Sequence, residues 1–334
     1  MIAPAVLALT VVSLTVAALM LLASGFAVTI LRHWDITSGS ERQLRLERLT
    51  YLIATLVTGA FVAEIVALLL FVYTAESMSS QFVGAMCATG VLNVNAWGWP
   101  TLWLKITVAL AGFAWLALNA LDQRAPDYPL VRTKYILLLA ITPLVLANAG
   151  AQTLFFAGLN PDVITSCCGA LFTPEGAGVA GEVAALSPRH TALALYLSGG
   201  ALLAGGLWTL ARSRPAWLFP LLGLAAGLVA LAAIVTFIAP YVYEHPEHRC
   251  PFCILKQGHD HAGYLLYLPL FGGTALALAS GVTLPWRRVP SLASLAHRRA
   301  RYYVIGSLAA FALFYGLAAL MVTRSRLTMD GVWW

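Results

Sequence analysis

Apolar runs of membrane-spanning length alternate with short polar segments along the whole chain. The runs cover 4–31, 49–74, 99–121, 135–158, 190–211, 216–239, 263–285 and 302–323, each long enough to cross about 30 Å of hydrocarbon as a helix. This pattern predicts an all-α fold, a polytopic membrane helix bundle of about eight transmembrane helices. The polar segments differ in charge. Those near 40, 128, 213 and 293 carry 14 of the 20 Lys and Arg residues, Arg42, Arg132, Lys134 and Arg298 among them. The positive-inside rule places that set in the cytoplasm and both termini outside. The first run has no basic segment before it, so a retained helix is expected rather than a cleaved signal peptide. The outward segments 75–98, 159–189 and 240–262 read as loops of a single integral membrane domain spanning 1–334. Pro143, Pro220 and Pro269 fall within spans and are expected to kink them. Gly199, Gly200, Gly205, Gly206, Gly223 and Gly227 are expected to let the fifth and sixth helices approach their neighbours closely.

Composition narrows the class. Of 334 residues, 60% are hydrophobic and 10% charged, against about 25% charged in an ordinary soluble domain. That excludes a soluble globular protein, and disorder requires the opposite balance. The net charge of +6 would suggest nucleic acid only if it formed a basic face. Because the basic residues are sorted by membrane side instead, lipid is the expected partner and nucleic acid is not.

All five cysteines, Cys87, Cys167, Cys168, Cys250 and Cys253, fall in outward segments. If the chain sits in a bacterial-type inner (plasma) membrane, that side is the periplasm, where thiols are paired, metal-bound or in redox traffic. In Cys250-Pro251-Phe252-Cys253, Cys250 is expected near the N-terminus of a helix leading into the seventh span. Arg249 and Lys256 stand close by in sequence, and such surroundings favour the attacking thiolate. Cys250 is then the attacking thiol and Cys253 its resolving partner. The adjacent Cys167 and Cys168 are open to three readings: a strained redox disulfide acting as relay, a soft-metal clamp, or two thiols paired elsewhere. Cys87 is a further relay or a structural partner.

His245, His248, His259 and His261 surround the motif, and imidazole with thiolate suits zinc or copper, so these are alternative metal ligands. No haem is expected, since no histidine lies deep in a span and Cys-x-x-Cys is not followed by His. Glu64 and Lys105 are charged residues within spans. Counted back at about 1.5 Å per residue, Glu64 lies at the depth of Asn148 and Lys105 at that of Gln152. This polar cluster reads as a proton relay, as the polar end of a quinone site, or as an internal pair joining helices.

Cys250 through Gln257, running into an apolar span, resembles the quinone-side motif of the bacterial disulfide-bond-forming quinone reductases (DsbB) and of vitamin K epoxide reductase. The stretch Cys87 to Pro100, ending Gly98-Trp99-Pro100 at the next span, is similar to the outward cysteine loop of the latter. The resemblance implies a quinone beside the Cys-x-x-Cys, with Lys256, Gln257, Trp97, Trp99 and Lys105 as candidate contacts. It also implies a second cysteine pair that takes electrons from a periplasmic partner, thioredoxin-like or a cytochrome. The chain departs from that family in having more spans, Gln257 where DsbB has Arg, and a vicinal loop pair.

Three functions are therefore expected to compete. The first is a quinone-linked thiol–disulfide oxidoreductase. The second is a soft-metal protein binding or transporting copper, zinc or mercury. The third is an accessory subunit of a membrane electron-transfer complex, its cysteines stapling loops. Thiol relay further requires at least two of the three cysteine groups to lie within about 10 Å, close enough for small motions to reach bonding range. The topology is checked with single reporter cysteines in a cysteine-free background. Asn160→Cys should react with an impermeant thiol reagent on intact cells, and Ser38→Cys only after permeabilisation; the reverse pattern would overturn the orientation.

Overall fold

The computed structural model describes residues 4–165, 171–173, 178–212 and 216–329; Cys167 and Cys168 lie outside the described residues. Among the described residues there is no strand. Eight helical segments are long and apolar enough to cross a membrane, as the hydropathy pattern predicts, and the chain is an integral membrane protein.

In chain order the helices are α1 (Pro4–His33), α2 (Glu41–Ser77), the short α3 (Ala88–Leu92), α4 (Gly98–Asp122), α5 (Val131–Ala157), the short α6 (Gly178–Ala184) and α7 (Pro188–Arg212). They continue with α8 (Leu218–Ala233), α9 (Ala239–Tyr243), α10 (Ala262–Thr283) and α11 (Ala293–Arg324). α2 starts well before its apolar run because Ser40 caps it, its Oγ accepting the Gln43 N–H, while the Gln43 side chain accepts the Asp35 N–H.

The chain divides into two compact units. The first comprises Met1–Thr74, Val94–Asn160 and Pro285–Arg299; the second comprises Ala75–Asn93, Pro161–Leu284 and Ala300–Trp334. In the first unit, α1 buries Leu9, Ser13, Val16, Met20, Ala23, Ala27 and Ile30. Their steps of three and four residues give a narrow seam, which packs on α5, while Leu7, Val11, Leu14 and Leu21 on the other face are exposed. Phe61 of α2 lies against Gly112 and Trp115 of α4. Trp115 Nε1 donates to the Lys134 carbonyl at 2.9 Å.

Lys134 departs from its expected place in a cytoplasmic loop. It is buried at the start of α5, 2.6 Å from Asp122 at the end of α4. Asp122 also accepts the Leu130 N–H, and the Lys134 ammonium donates to Asn119 Oδ1. The pair closes the α4–α5 hairpin, and removing either partner would leave a buried charge uncompensated.

In the second unit, α8 packs between α7 and α10. Five of the six glycines act as expected, and a Cβ at Gly200 meets nothing within 4 Å, so that position is not a close contact. One proline differs from expectation. α5 and α10 continue through Pro143 and Pro269, but Pro220 lies in the first turn of α8, where a missing N–H costs nothing and no kink follows. The irregular turn is at Pro240 instead. Its ring cannot donate to the carbonyl four residues back and clashes with it, and the preceding Ile234–Ile238 widen into a π-helical turn.

A Cβ at Gly223 would stand 2.3 Å from the Cβ of Ala277 on α10. That methyl is fixed to backbone and cannot swing aside. Gly223→Val should therefore destabilise the protein by about 1 to 3 kcal/mol in thermal unfolding in detergent, whereas Gly200→Ala should leave the midpoint unchanged. Equal effects would contradict the α8–α10 packing.

Candidate functional site

The second unit gathers three of the five cysteines. The route from α8 to α10 is set by backbone conformation: α9 ends at Glu244 in the left-handed region, and a 3-10 turn, Cys253–Leu255, follows the motif. A second such turn, Gln257–His259, precedes Asp260 and His261, both with positive φ. The expected helix at the motif is therefore absent, since α10 begins only at Ala262, and its dipole is not placed at Cys250.

Two tyrosines clamp the motif instead. Tyr243 of α9 donates its hydroxyl to the Cys250 carbonyl at 2.5 Å, and Tyr267 of α10 donates to the Pro251 carbonyl at 2.8 Å. Backbone carbonyls shielded from water need such donors. Arg249 donates to the Ala184 carbonyl and Lys256 to the Met86 carbonyl, so both cations expected beside the thiols are engaged with neighbouring backbone.

Cys87 arrives from the other loop in extended conformation, immediately before α3. Glu76, at the end of α2, accepts the Ala88 N–H at 2.8 Å and lies 3.6 Å from the Lys256 ammonium. One carboxylate thus joins the Cys87 loop to the residue three places after Cys253. Nearby, Gly84 adopts φ +85°, with the Thr165 carbonyl oxygen 2.3 Å from where a Cβ would be, and Thr165 donates its N–H to the Val83 carbonyl. No side chain fits there.

The result is a sulfur cluster. Cys87 Sγ is 3.4 Å from Cys250 Sγ, although the two lie 163 residues apart in sequence. The sulfurs of Cys87, Cys250 and Cys253 all lie within 4.8 Å of one another. Cys87 and Cys250 are fully buried and Cys253 is 5% exposed. Thr89 Oγ1 is 3.3 Å from Cys250 Sγ. Two of the three sequence-defined cysteine groups therefore meet, well inside the distance that relay requires.

The histidines stand beside the cluster and are not among the three ligands grouped there. His248 stacks on Tyr243 with ring centroids 4.2 Å apart, and His259 is tilted against the same ring at 4.7 Å. Burial holds both imidazoles below their ordinary value. His261 Nδ1 lies 2.8 Å from the Leu255 carbonyl oxygen, and His245 is exposed.

The residues considered for a quinone are divided between the units. Lys256 and the exposed Gln257 belong to the second, and Trp97, Trp99 and Lys105 to the first. Glu64 is buried in the first unit, accepting a hydrogen bond from Asn148 and lying 3.7 Å from Lys105. Sequence reasoning missed Glu76, Thr89, Tyr243 and Tyr267. A carboxylate at the outer end of the second span was the available signal for Glu76.

No family model, no curated protein and no solved structure matches the chain. The sulfur geometry therefore carries the functional argument by itself.

Glu76 has a checkable role. A hydrogen bond to a charged acceptor contributes about 1.5 to 3 kcal/mol, so Glu76→Ala should lower the yield of oxidant-induced Cys87–Cys250 crosslink about tenfold. Glu76→Gln, which still accepts the Ala88 N–H, should retain most of it. An unchanged yield in Glu76→Ala would show that the carboxylate does not position Cys87.

Proposed function

We propose that the chain is a membrane thiol–disulfide oxidoreductase that passes electrons between a periplasmic dithiol partner, thioredoxin-like or a cytochrome-linked thiol protein, and membrane quinone. The observation that carries this reading is the 3.4 Å approach of Cys87 Sγ to Cys250 Sγ, beside the second thiol of the Cys-x-x-Cys. Cys250 is the shared sulfur. The Cys87 thiolate attacks Cys250 of a Cys250–Cys253 disulfide, the Cys87–Cys250 bond forms, and Cys253 leaves as thiolate. No electrons are gained or lost within the cluster by that exchange. Overall, a partner dithiol loses two electrons and two protons and becomes a disulfide, and the quinone gains both and becomes quinol. Cys167 and Cys168 are the relay toward the partner in this scheme.

His248 and His259, which pack on Tyr243 beside the motif, are the residues that would present imidazole N–H groups to the ring carbonyls of a bound quinone. Bound there, the quinone would supply the two-electron acceptor. The tyrosine clamp holds the motif still, and Glu76 holds Cys87 within reach. The inner membrane and its periplasmic side follow in this reading from the charge asymmetry of the loops.

A second reading is favoured by the mutual distances. Three thiolates within 4.8 Å suit a soft ion such as copper, zinc or mercury, with metal–sulfur bonds of about 2.3 Å. The accessory-subunit reading has no such support from the buried thiols.

Metal analysis and thiol counting on anaerobically purified protein, with and without reductant, separate the two. The redox reading expects two further titratable thiols on reduction, reversibly and without metal. One equivalent of copper, zinc or mercury bound, with the thiols protected and their number unchanged by reductant, would overturn it in favour of the metal site.

A further inference from the structure

The first unit carries polar side chains from four helices into its interior within about one helical turn of depth. Glu64 of α2, Lys105 of α4 and Asn148 of α5 meet there: Asn148 Nδ2 donates to Glu64 Oε2 at 3.1 Å, and the Lys105 ammonium is 3.7 Å from the same oxygen. α1 and α5 pair in antiparallel register, fixed by Gln152 Nε2 donating to the Leu9 carbonyl and by the Ser24–Thr142 hydroxyl pair. One turn from the first bond toward the second stand Ser13 and Asn148, so Ser13 of α1 lies at the level of Asn148. All five side chains are at most 1% exposed.

Each of the five keeps a polar atom without a hydrogen-bond partner: Ser13 Oγ, Glu64 Oε1, Lys105 Nζ, Asn148 Oδ1 and Gln152 Oε1. Buried polar atoms of this kind inside a membrane bundle do not remain unsolvated, because hydrocarbon offers them nothing. Their chemistry identifies the ligand. The carboxylate and the two amide oxygens only accept, the ammonium only donates, and the hydroxyl does either. A metal cation would satisfy the oxygens but stand against the ammonium. An anion would satisfy the ammonium but face the carboxylate. Water satisfies both sets, and buried water is ordinarily held by two to four such groups.

We propose that the first unit holds internal water between Glu64, Lys105, Asn148, Gln152 and Ser13, and that Glu64 exchanges a proton with it. The Glu64 carboxylate takes a proton from hydronium, leaving water and a neutral carboxyl, and returns it to water in the reverse step. Lys105 sits beside that oxygen without being locked to it. Its ammonium lies beyond hydrogen-bond length from the carboxylate and 5.7 Å from the centre of the Phe71 ring. The site thus differs from the Asp122–Lys134 pair, which is in direct 2.6 Å contact and is further bonded to Leu130 and Asn119. The proposal stands apart from the thiol chemistry and is read without it.

Infrared difference spectroscopy of the protein in lipid nanodiscs, comparing acidic with alkaline buffer, tests it. The expected result is a neutral-carboxyl C=O band that grows as pH falls, shifts in D₂O, and is lost in Glu64→Gln. A wild-type spectrum with no titrating carboxyl band, a band that D₂O does not shift, or a band that survives in Glu64→Gln would each overturn the proposal. If Glu64→Gln does not fold, Asn148→Leu serves, since it removes one water partner and one bond to the carboxylate. The band should then move or change its titration midpoint, and an unmoved band would overturn the proposal equally.

Discussion

Buried backbone carbonyls that belong to no helix must find donors, and the sulfur cluster depends on how that requirement is met. The Cys250–Cys253 segment runs between two spans with only a 3-10 turn at its end, so the carbonyls of Cys250 and Pro251 belong to no α-helical ladder and accept from side-chain donors. Tyr243 and Tyr267 supply them from the spans on either side. Because each hydroxyl sits at a fixed place on its helix, the bonds that satisfy the carbonyls also fix where the sulfurs stand. Glu76 does the same for the other loop, taking the first N–H of α3 and facing Lys256. Two loops distant in sequence are thereby brought to a sulfur–sulfur distance of 3.4 Å by groups that carry none of the thiol chemistry.

The same requirement shapes the interior of the first unit, where it is met in two different ways. Asp122 and Lys134 are closed on each other and on the hairpin backbone, as suits a structural pair. Glu64 and Lys105 are left partly open, with Glu64 Oε1 and the Lys105 ammonium both lacking a hydrogen-bond partner. A packing role alone would favour the closed arrangement at both places, since an unsatisfied buried polar atom is costly and an apolar replacement would remove the cost.

The hydropathy pattern was sufficient for the eight spans, whose ends it places within a few residues except that α2 and α11 begin well before their apolar runs, at Glu41 and Ala293. It also placed Glu64, Asn148 and Lys105 together, because depth along a helix is nearly linear in sequence. Other features were not legible. The π-helical turn arises from Pro240 acting four residues upstream, near the end of a run that otherwise reads as regular. Lys134 was counted with the loop cations because sequence does not show that Asp122 waits opposite it. That thiol relay needs converging loops could be reasoned in advance, but which groups converge could not. The tyrosine hydroxyls that hold the motif belong to spans, where aromatic residues read as interface anchors.

The account rests on Cys87 and Cys250 being neighbours, and disulfide mapping in Cys253→Ser protein tests that most directly. With the resolving thiol removed, mild oxidation of the protein in lipid should trap a Cys87–Cys250 disulfide, seen by mass spectrometry as one crosslinked peptide pair and reversed by reductant. A bond of about 2.05 Å requires the two sulfurs to close only part of their 3.4 Å separation. Failure to form that crosslink, with Cys250 captured by Cys167 or Cys168 and Cys87 left reduced, would contradict the account.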